Sequence, residues 1–311
     1  MIKGMEKRKL TSGRERGNKN AIAFIIIACM AMVFMPLTCM AQTLKINIQE
    51  AQFTQPAIER LVEEYQKVNA TFKADVVKEA KGVSDATISL SAGHTEYNSA
   101  FLCRFMVLPV ANSESELLQN KKVQRGLTDK LERQVYVERD VLETIEANEN
   151  GEKPLPGTVY TLCENKAVTK QVLADKLQVS PSRIRGKKIL GREENLLMAV
   201  QSHPDAISYN VATLLYNIEN RQPQTGLTVL AIDLDGNGRI SNEERTAIDN
   251  LDALTDYIGQ LPKTSVPVGH VNIITENAQL KQFVNWAHSD GQQFLEHYGF
   301  LKAEPQLTAK R

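Results

Sequence analysis

The chain has 311 residues, equal numbers of basic and acidic side chains, 42% hydrophobic residues and only 6% aromatic residues. No basic run with interleaved aromatic residues is present outside the N-terminus, which argues against nucleic acid or an anionic membrane surface as the partner. A chain of this length can bury a large core and favours two lobes over one.

The N-terminus predicts a secretory signal peptide covering residues 1–41. A basic region containing Lys3 and Lys19 precedes an apolar run at residues 21–37, and Cys39-Met40-Ala41 places small residues at the cleavage site. Removal of this segment leaves a net charge of −5 and an extracytoplasmic protein, periplasmic or secreted. Two alternatives stay open: an uncleaved anchor, because 17 apolar residues is the lower limit for crossing a bilayer, and a lipid on Cys39.

The first half of the remaining chain alternates strand and helix patterns. Thr54 is a good helix N-cap, and Pro56 fits the first turn of a helix whose apolar positions recur at helical spacing. β-branched and apolar runs around this helix predict strands at residues 44–48, 72–77, 86–90 and 101–110.

The second half repeats this alternation, which predicts an α/β fold with mostly parallel sheets flanked by helices. We expect helices at residues 115–147, 167–177, 211–219 and 243–258, and strands at 158–163, 206–209 and 226–232. Only Cys103 and Cys163 follow the signal peptide, and the sequence leaves open whether they form a disulfide or stay as buried free thiols.

Residues 233–244 form the most specific motif in the chain. An EF-hand loop of twelve residues needs oxygen donors at positions 1, 3, 5, 7, 9 and 12 and a glycine at position 6. Gly238 occupies position 6, and the six donors are Asp233, Asp235, Asn237, the Arg239 carbonyl, Ser241 and Glu244. The sequence therefore predicts a Ca²⁺ site. A strand rather than a helix precedes the loop, which indicates a structural site and not a sensor.

Several segments resemble the phosphate-type periplasmic substrate-binding proteins of ABC transporters. Residues 266–274, 283–293 and 298–301 resemble the end of those proteins, where the chain returns to the first lobe. Residues 105–112 are similar to the crossing into the second lobe, and residues 204–210 to a Pro-Gly-Ala-Ile-Gly-Tyr segment, with Ser208 in place of glycine.

This resemblance implies a two-lobed periplasmic binding protein fold of type II. Lobe one would comprise residues 42–108 plus 266–311, and lobe two residues 109–265. In that family helix N-termini and hydroxyl groups hold the anion. The matching positions here are few, because the family's Gly-Ser and Ser-Gly-Thr loops are missing. The candidate ligand-binding residues are Thr54, Thr161, Asn165, Lys166, Arg192 and Asn195.

The leading functional hypothesis is a monomeric solute-binding protein for a small phosphate-like anion that feeds a membrane transporter. The alternative is a calcium-stabilised envelope interaction or scaffold protein with no transported ligand. We expect no enzymatic activity, because the five histidines form no HExxH pair and the chain has neither a Gly-x-Ser-x-Gly elbow nor a glycine-rich phosphate loop.

Overall fold

The computed structural model describes residues 43–78, 82–93, 99–151 and 155–303. All of them belong to a unit that begins at Thr43, so the predicted signal peptide lies outside the described residues. The strands are β1 (Leu44–Asn47), β2 (Ala74–Val77), β3 (Ala86–Ser91), β4 (Ala100–Asn112), β5 (Thr158–Leu162), β6 (Lys187–Ile189), β7 (Ala206–Val211), β8 (Leu227–Val229) and β9 (Val268–Thr275).

Ten α-helices lie among the described residues. They are α1 (Gln55–Val68), α2 (Asp129–Tyr136), α3 (Val141–Glu149), α4 (Val168–Lys176), α5 (Glu193–Ser202), α6 (Ala212–Leu215), α7 (Asn242–Ile248), α8 (Leu251–Gln260), α9 (Ala278–His288) and α10 (Gln292–His297). Short 3₁₀ turns precede α1, α2 and β6, at Gln52–Thr54, Glu116–Gln119, Val123–Arg125 and Pro181–Arg183.

The nine strands form a sheet in the order β2-β1-β3-β9-β4-β7-β5-β6, and β8 pairs with β4. The outer pairs, β1 with β2 and β3 and β5 with β6 and β7, are parallel. The pairs that involve β4 or β9 are antiparallel. The predicted α/β fold class is confirmed, with antiparallel pairing concentrated in the middle of the sheet.

β4 connects the two ends of the sheet. Residues from Ala100 to Met106 pair with β9, and residues from Val107 onward pair with β7 and β8. Its side chains are buried along almost the whole length, as expected for a strand covered on both faces. The apolar residues of both ends form one continuous core that runs from Leu44 to Leu301.

Three predicted elements differ from the structure. The helix expected at residues 243–258 is two helices, α7 and α8, because the Asn250 side chain accepts hydrogen bonds from the N–H groups of Asp252 and Ala253 and starts a new helix there. The helix expected at 211–219 is the single turn α6. The helical segment expected at 115–147 consists of two 3₁₀ turns and the helices α2 and α3.

Candidate functional site

The loop between β8 and α7 is folded around the carboxylate of Asp233. This carboxylate is 5% exposed, and its two oxygens accept hydrogen bonds from the N–H groups of Gly236 (2.7 Å) and Gly238 (2.6 Å). Gly238 has a φ of 82°, a conformation that favours glycine. The predicted glycine at position 6 of the loop therefore stands where the chain turns.

Glu244 is fully buried and connects the end of the loop to its beginning. One of its oxygens accepts the N–H of Leu234 at 2.7 Å, and the other accepts the N–H of Ser241 at 2.6 Å. The Ser241 hydroxyl accepts the N–H of Glu244 at 3.1 Å, so the two residues form a capping box at the start of α7. The same carboxylate thus caps the helix and fixes the loop.

Three carboxylates of the loop lie close enough to hold a metal ion. One oxygen from each of Asp233, Asp235 and Glu244 lies within 4.8 Å of the others. Within the described part of the chain, none of these carboxylates forms a salt bridge. Closely spaced, partly buried carboxylates without a counter-charge are unfavourable unless a cation joins them, and their oxygens suit a hard divalent cation.

The other predicted metal ligands follow the same loop. The Asn237 amide donates to Asp235 at 2.8 Å and its oxygen accepts the N–H of Arg239 at 2.8 Å. Ser241 is half-buried, and Arg239 has an exposed side chain. The residue types present fit a divalent cation, and the acidic group of three is the part of the predicted set that the structure brings together.

A second group of polar side chains lies at the carboxyl ends of β5, β6 and β7. β6, β5 and β7 are parallel neighbours, so their carboxyl ends share one edge of the sheet, where α4, α5 and α6 begin. Thr161, at the end of β5, is fully buried, and its hydroxyl lies 2.7 Å from that of Tyr209 on β7. Helix N-termini at such an edge favour anionic ligands.

Glu193, the first residue of α5, links α4 to β7 at this edge. The Thr169 hydroxyl donates to its carboxylate at 2.9 Å, and the Asn210 amide donates to its carbonyl at 2.8 Å. Burial raises the pKa of Glu193, and the Thr169 hydrogen bond opposes that increase.

Lys170, in the first turn of α4, is fully buried. Its ammonium group donates to the Leu162 carbonyl at 3.2 Å and to the Asn165 side chain at 2.7 Å. Burial, and then the neighbouring Lys188, lowers the pKa of Lys170. Asn165 is therefore oriented by a buried lysine.

The remaining candidate ligand residues differ in exposure and partners. Lys166 is exposed and lies 3.6 Å from Glu164, while half-buried Arg192 donates its backbone N–H to the Asn195 side chain at 3.0 Å. Thr54 is buried in the first half of the sheet, and its hydroxyl donates to the Ala51 carbonyl at 2.7 Å instead of capping α1. Within the described residues, no hydrogen bond joins Thr54 to the second-half group.

Four residues of this edge are absent from the predicted set: Lys170, Glu193, Thr169 and Tyr209. Lys170 lies on the buried face of α4 together with Thr169, Val172 and Leu173, and the sequence alone does not show that its side chain is buried. Cys103 is buried and Cys163 is exposed, and both are free thiols, so the structure has no disulfide between them.

Along the described residues, no helix combines the length and the apolar character needed to cross a bilayer.

The fold is shared with a solved substrate-binding protein. The chain superposes on a Clostridium perfringens protein assigned as a phosphate ABC transporter substrate-binding protein, determined with bound phosphate, with a TM-score of 0.52 and 12% identity over 85% of this chain and 100% of that one. This likeness establishes the fold alone: two α/β regions share a central strand, as in that protein.

Two further structures have lower scores. An ABC-type phosphate transport receptor from Vibrio cholerae has a TM-score of 0.48 at 12% identity, covering 84% of this chain and 100% of that chain. A full-length OxyR variant from Pseudomonas aeruginosa has a TM-score of 0.47 at 9% identity, covering 87% and 77% respectively. No family model and no curated protein matches the sequence.

Proposed function

We propose that this protein binds a small phosphate-like anion outside the cytoplasm and delivers it to a membrane transporter. The observation that carries the proposal is the shared edge at β6, β5 and β7, where three helices begin beside buried hydroxyl and amide groups. The fold it shares with the Clostridium perfringens substrate-binding protein supports the same function.

The anion would bind between the two ends of the sheet. Lobe one would comprise residues 42–108 plus 266–311, and lobe two residues 109–265, with Thr54 on one side. On the other side, exposed Lys166 and half-buried Arg192 supply positive charge, and backbone N–H groups at the starts of α4 and α5 supply hydrogen bonds. Thr161, Asn165 and Asn195 complete the proposed set of ligand-binding residues.

The loop at residues 233–244 would hold one Ca²⁺. Asp233, Asp235 and Glu244 supply the carboxylates, and Asn237, the Arg239 carbonyl and Ser241 supply the remaining oxygens. The supporting observation is the close approach of three carboxylates that have no salt-bridge partner among the described residues. The ion would connect β8 to α7 and stabilise the fold without a change of conformation.

The proposed location rests on the N-terminal sequence. Secretion would remove residues 1–41 at Cys39-Met40-Ala41, and the intact mass of the exported protein tests this step. A mass that retains residues 21–37 would indicate an anchor, and a lipid on Cys39 would indicate a lipoprotein.

Native mass spectrometry of the purified protein, followed by thermal-shift measurements with phosphate, sulfate, phosphonates and small carboxylates, tests the binding function. We expect one bound anion per chain and a higher melting temperature with phosphate than with chloride. If none of these anions binds, the protein is better described as the calcium-stabilised interaction protein without a transported ligand.

A further inference from the structure

An open cavity of about 670 Å³ lies beside residues 238–240 of the loop that contains Asp233. It is lined by residues of the 3₁₀ turn Val123–Arg125, the first turns of α2, the loop itself and the start of α7. Basic side chains from all of these segments line it: Lys122, Arg125, Lys130, Arg239 and Arg245. Of the described residues that line it, none carries a carboxylate.

Four of the five cations that line this basic cavity have no salt-bridge partner among the described residues. These four are Lys122, Arg125, Arg239 and Arg245. The Arg245 guanidinium is held by neutral acceptors, the Arg125 carbonyl at 3.1 Å and the Asn242 side chain. These contacts hold the guanidinium in place, and no carboxylate among the described residues compensates its positive charge.

The cavity also has an apolar surface formed by the half-buried side chains of Leu131 and Ile240. Ile240 packs directly on Gly126, which has a φ of 101°. A Cβ atom on Gly126 would overlap the Ile240 side chain and approach the Ala231 carbonyl to 3.0 Å. The glycine thus allows this apolar residue to lie among the cations.

We propose that the basic cavity binds a small soluble organic molecule that carries two or more phosphate or carboxylate groups. Cations from separate segments that line one cavity attract an anion, and several cations match several anionic groups. The apolar surface matches the carbon framework of such a molecule, and the volume lies within the range of small-molecule sites. This site is separate from the proposed phosphate site, because the two share no residue.

Calcium should strengthen this binding, a part of the inference that rests on the proposed calcium site. Gly238, Arg239 and Ile240 belong both to the acidic loop and to the cavity wall. A divalent cation in the loop adds positive charge beside the cavity, so calcium and the organic anion should each raise the affinity for the other by the same factor.

Isothermal titration calorimetry with fructose 1,6-bisphosphate tests the site, with neutral fructose and inorganic phosphate as comparison ligands. Calcium-free protein should be prepared on a chelating resin, because soluble chelators are themselves polyanions. We expect the bisphosphate to bind and fructose not to bind. The double variant Arg125→Gln/Arg239→Gln should weaken bisphosphate binding by about tenfold or more.

The matched control is Lys45→Gln/Lys73→Gln, which removes the same charge from exposed positions of the first half. It should leave bisphosphate binding unchanged. The proposal is overturned if the wild-type protein does not bind the bisphosphate in calcium-loaded form, or if both double variants weaken binding equally. Inorganic phosphate binding as tightly as the bisphosphate at this site, or a short single-stranded DNA binding more tightly, would also overturn it. If the bisphosphate binds with the same affinity with and without calcium, the proposed coupling between calcium and the organic anion is wrong. Such a result would still support the basic cavity as a binding site.

Discussion

Glu244 accepts a hydrogen bond from the backbone N–H of Leu234, ten residues earlier, at 2.7 Å. Its second oxygen accepts the N–H of Ser241 at 2.6 Å. Both oxygens of one buried carboxylate are therefore used by the backbone of the loop that they close. These hydrogen bonds hold the loop closed without a metal ion. A substitution of Glu244 should therefore affect the stability of the calcium-free protein as well as calcium binding.

Glu244→Gln should remove the stabilisation of the protein by calcium. An extracellular site of this type has a dissociation constant of about 10⁻⁴ to 10⁻³ M. At ten times that concentration, calcium should stabilise the wild-type fold by about 1.4 kcal/mol, or roughly 2 to 4 °C in melting temperature. The calcium-free variant should also melt lower, because a glutamine offers only one acceptor oxygen.

The decisive quantity is therefore the difference in melting temperature with and without calcium, measured for each protein. Glu243→Gln, at the exposed neighbouring position, is the control and should keep the full increase. Equal melting temperatures of the wild-type protein in both conditions, with no heat of binding in calorimetry, would show that the loop is a metal-free turn.

Arg192→Ala should weaken phosphate binding by about 1.5 to 3 kcal/mol, because it removes a charge-assisted hydrogen bond. Arg192 is only half-buried and precedes α5, so its loss should leave the fold intact. Titration calorimetry measures the change, and Lys73→Ala is the control for loss of one exposed cation. Unchanged affinity in Arg192→Ala would remove this residue from the proposed site.

Glu132 should make stability depend on pH. It is 1% exposed, and burial raises its pKa to about 7; Lys176 opposes this increase, while Asp129 and Asp233 add to it. The folded protein holds the proton more tightly than the unfolded chain does, so this carboxyl destabilises the fold as pH rises from about 4.5 to about 7. The full effect is at most about 3 kcal/mol.

Glu132→Gln should therefore flatten the pH dependence and raise stability at pH 8, measured by urea unfolding in calcium-free buffer. Asp129→Asn removes a mostly exposed neighbour that adds to the pKa of Glu132, and it should reduce the pH dependence much less than Glu132→Gln does. A variant at Glu132 that is less stable than wild type at pH 8 would mean that its ion pair with Lys176 outweighs the cost of burial.

Gly126→Ala should destabilise the fold more than Gly226→Ala, by about 1 to 3 kcal/mol. Both glycines have positive φ values, 101° and 81°, so both variants strain the backbone. Only the first would also push a Cβ atom against Ile240, since nothing lies within 4 Å of the position at Gly226. Denaturant unfolding gives both values, and equal losses would show that Ile240 moves aside at no cost.

Apolar patterns were sufficient to predict β1, α1 and β4 to within a few residues, because the buried face of each element is continuous in the sequence. The break between α7 and α8 depends on one side chain, Asn250, that competes for backbone N–H groups inside an otherwise helical pattern. The acidic group of the loop could be predicted because its donors all lie within twelve consecutive residues. The group around Lys170 and Glu193 could not, because it assembles only when three parallel strands lie side by side.

The position of β9 has a consequence for how the chain folds. β3 and β4 are neighbours in sequence but do not pair with each other; β9 lies between them, so Ala86 pairs with Thr275 and Phe101 with Asn272. During synthesis both strands therefore keep an open edge until nearly the whole chain has emerged. A chain that ends before residue 268 would expose the unpaired edges of β3 and β4, which can pair with other chains and aggregate. The first half of the sheet can be completed only after β9 has been synthesised.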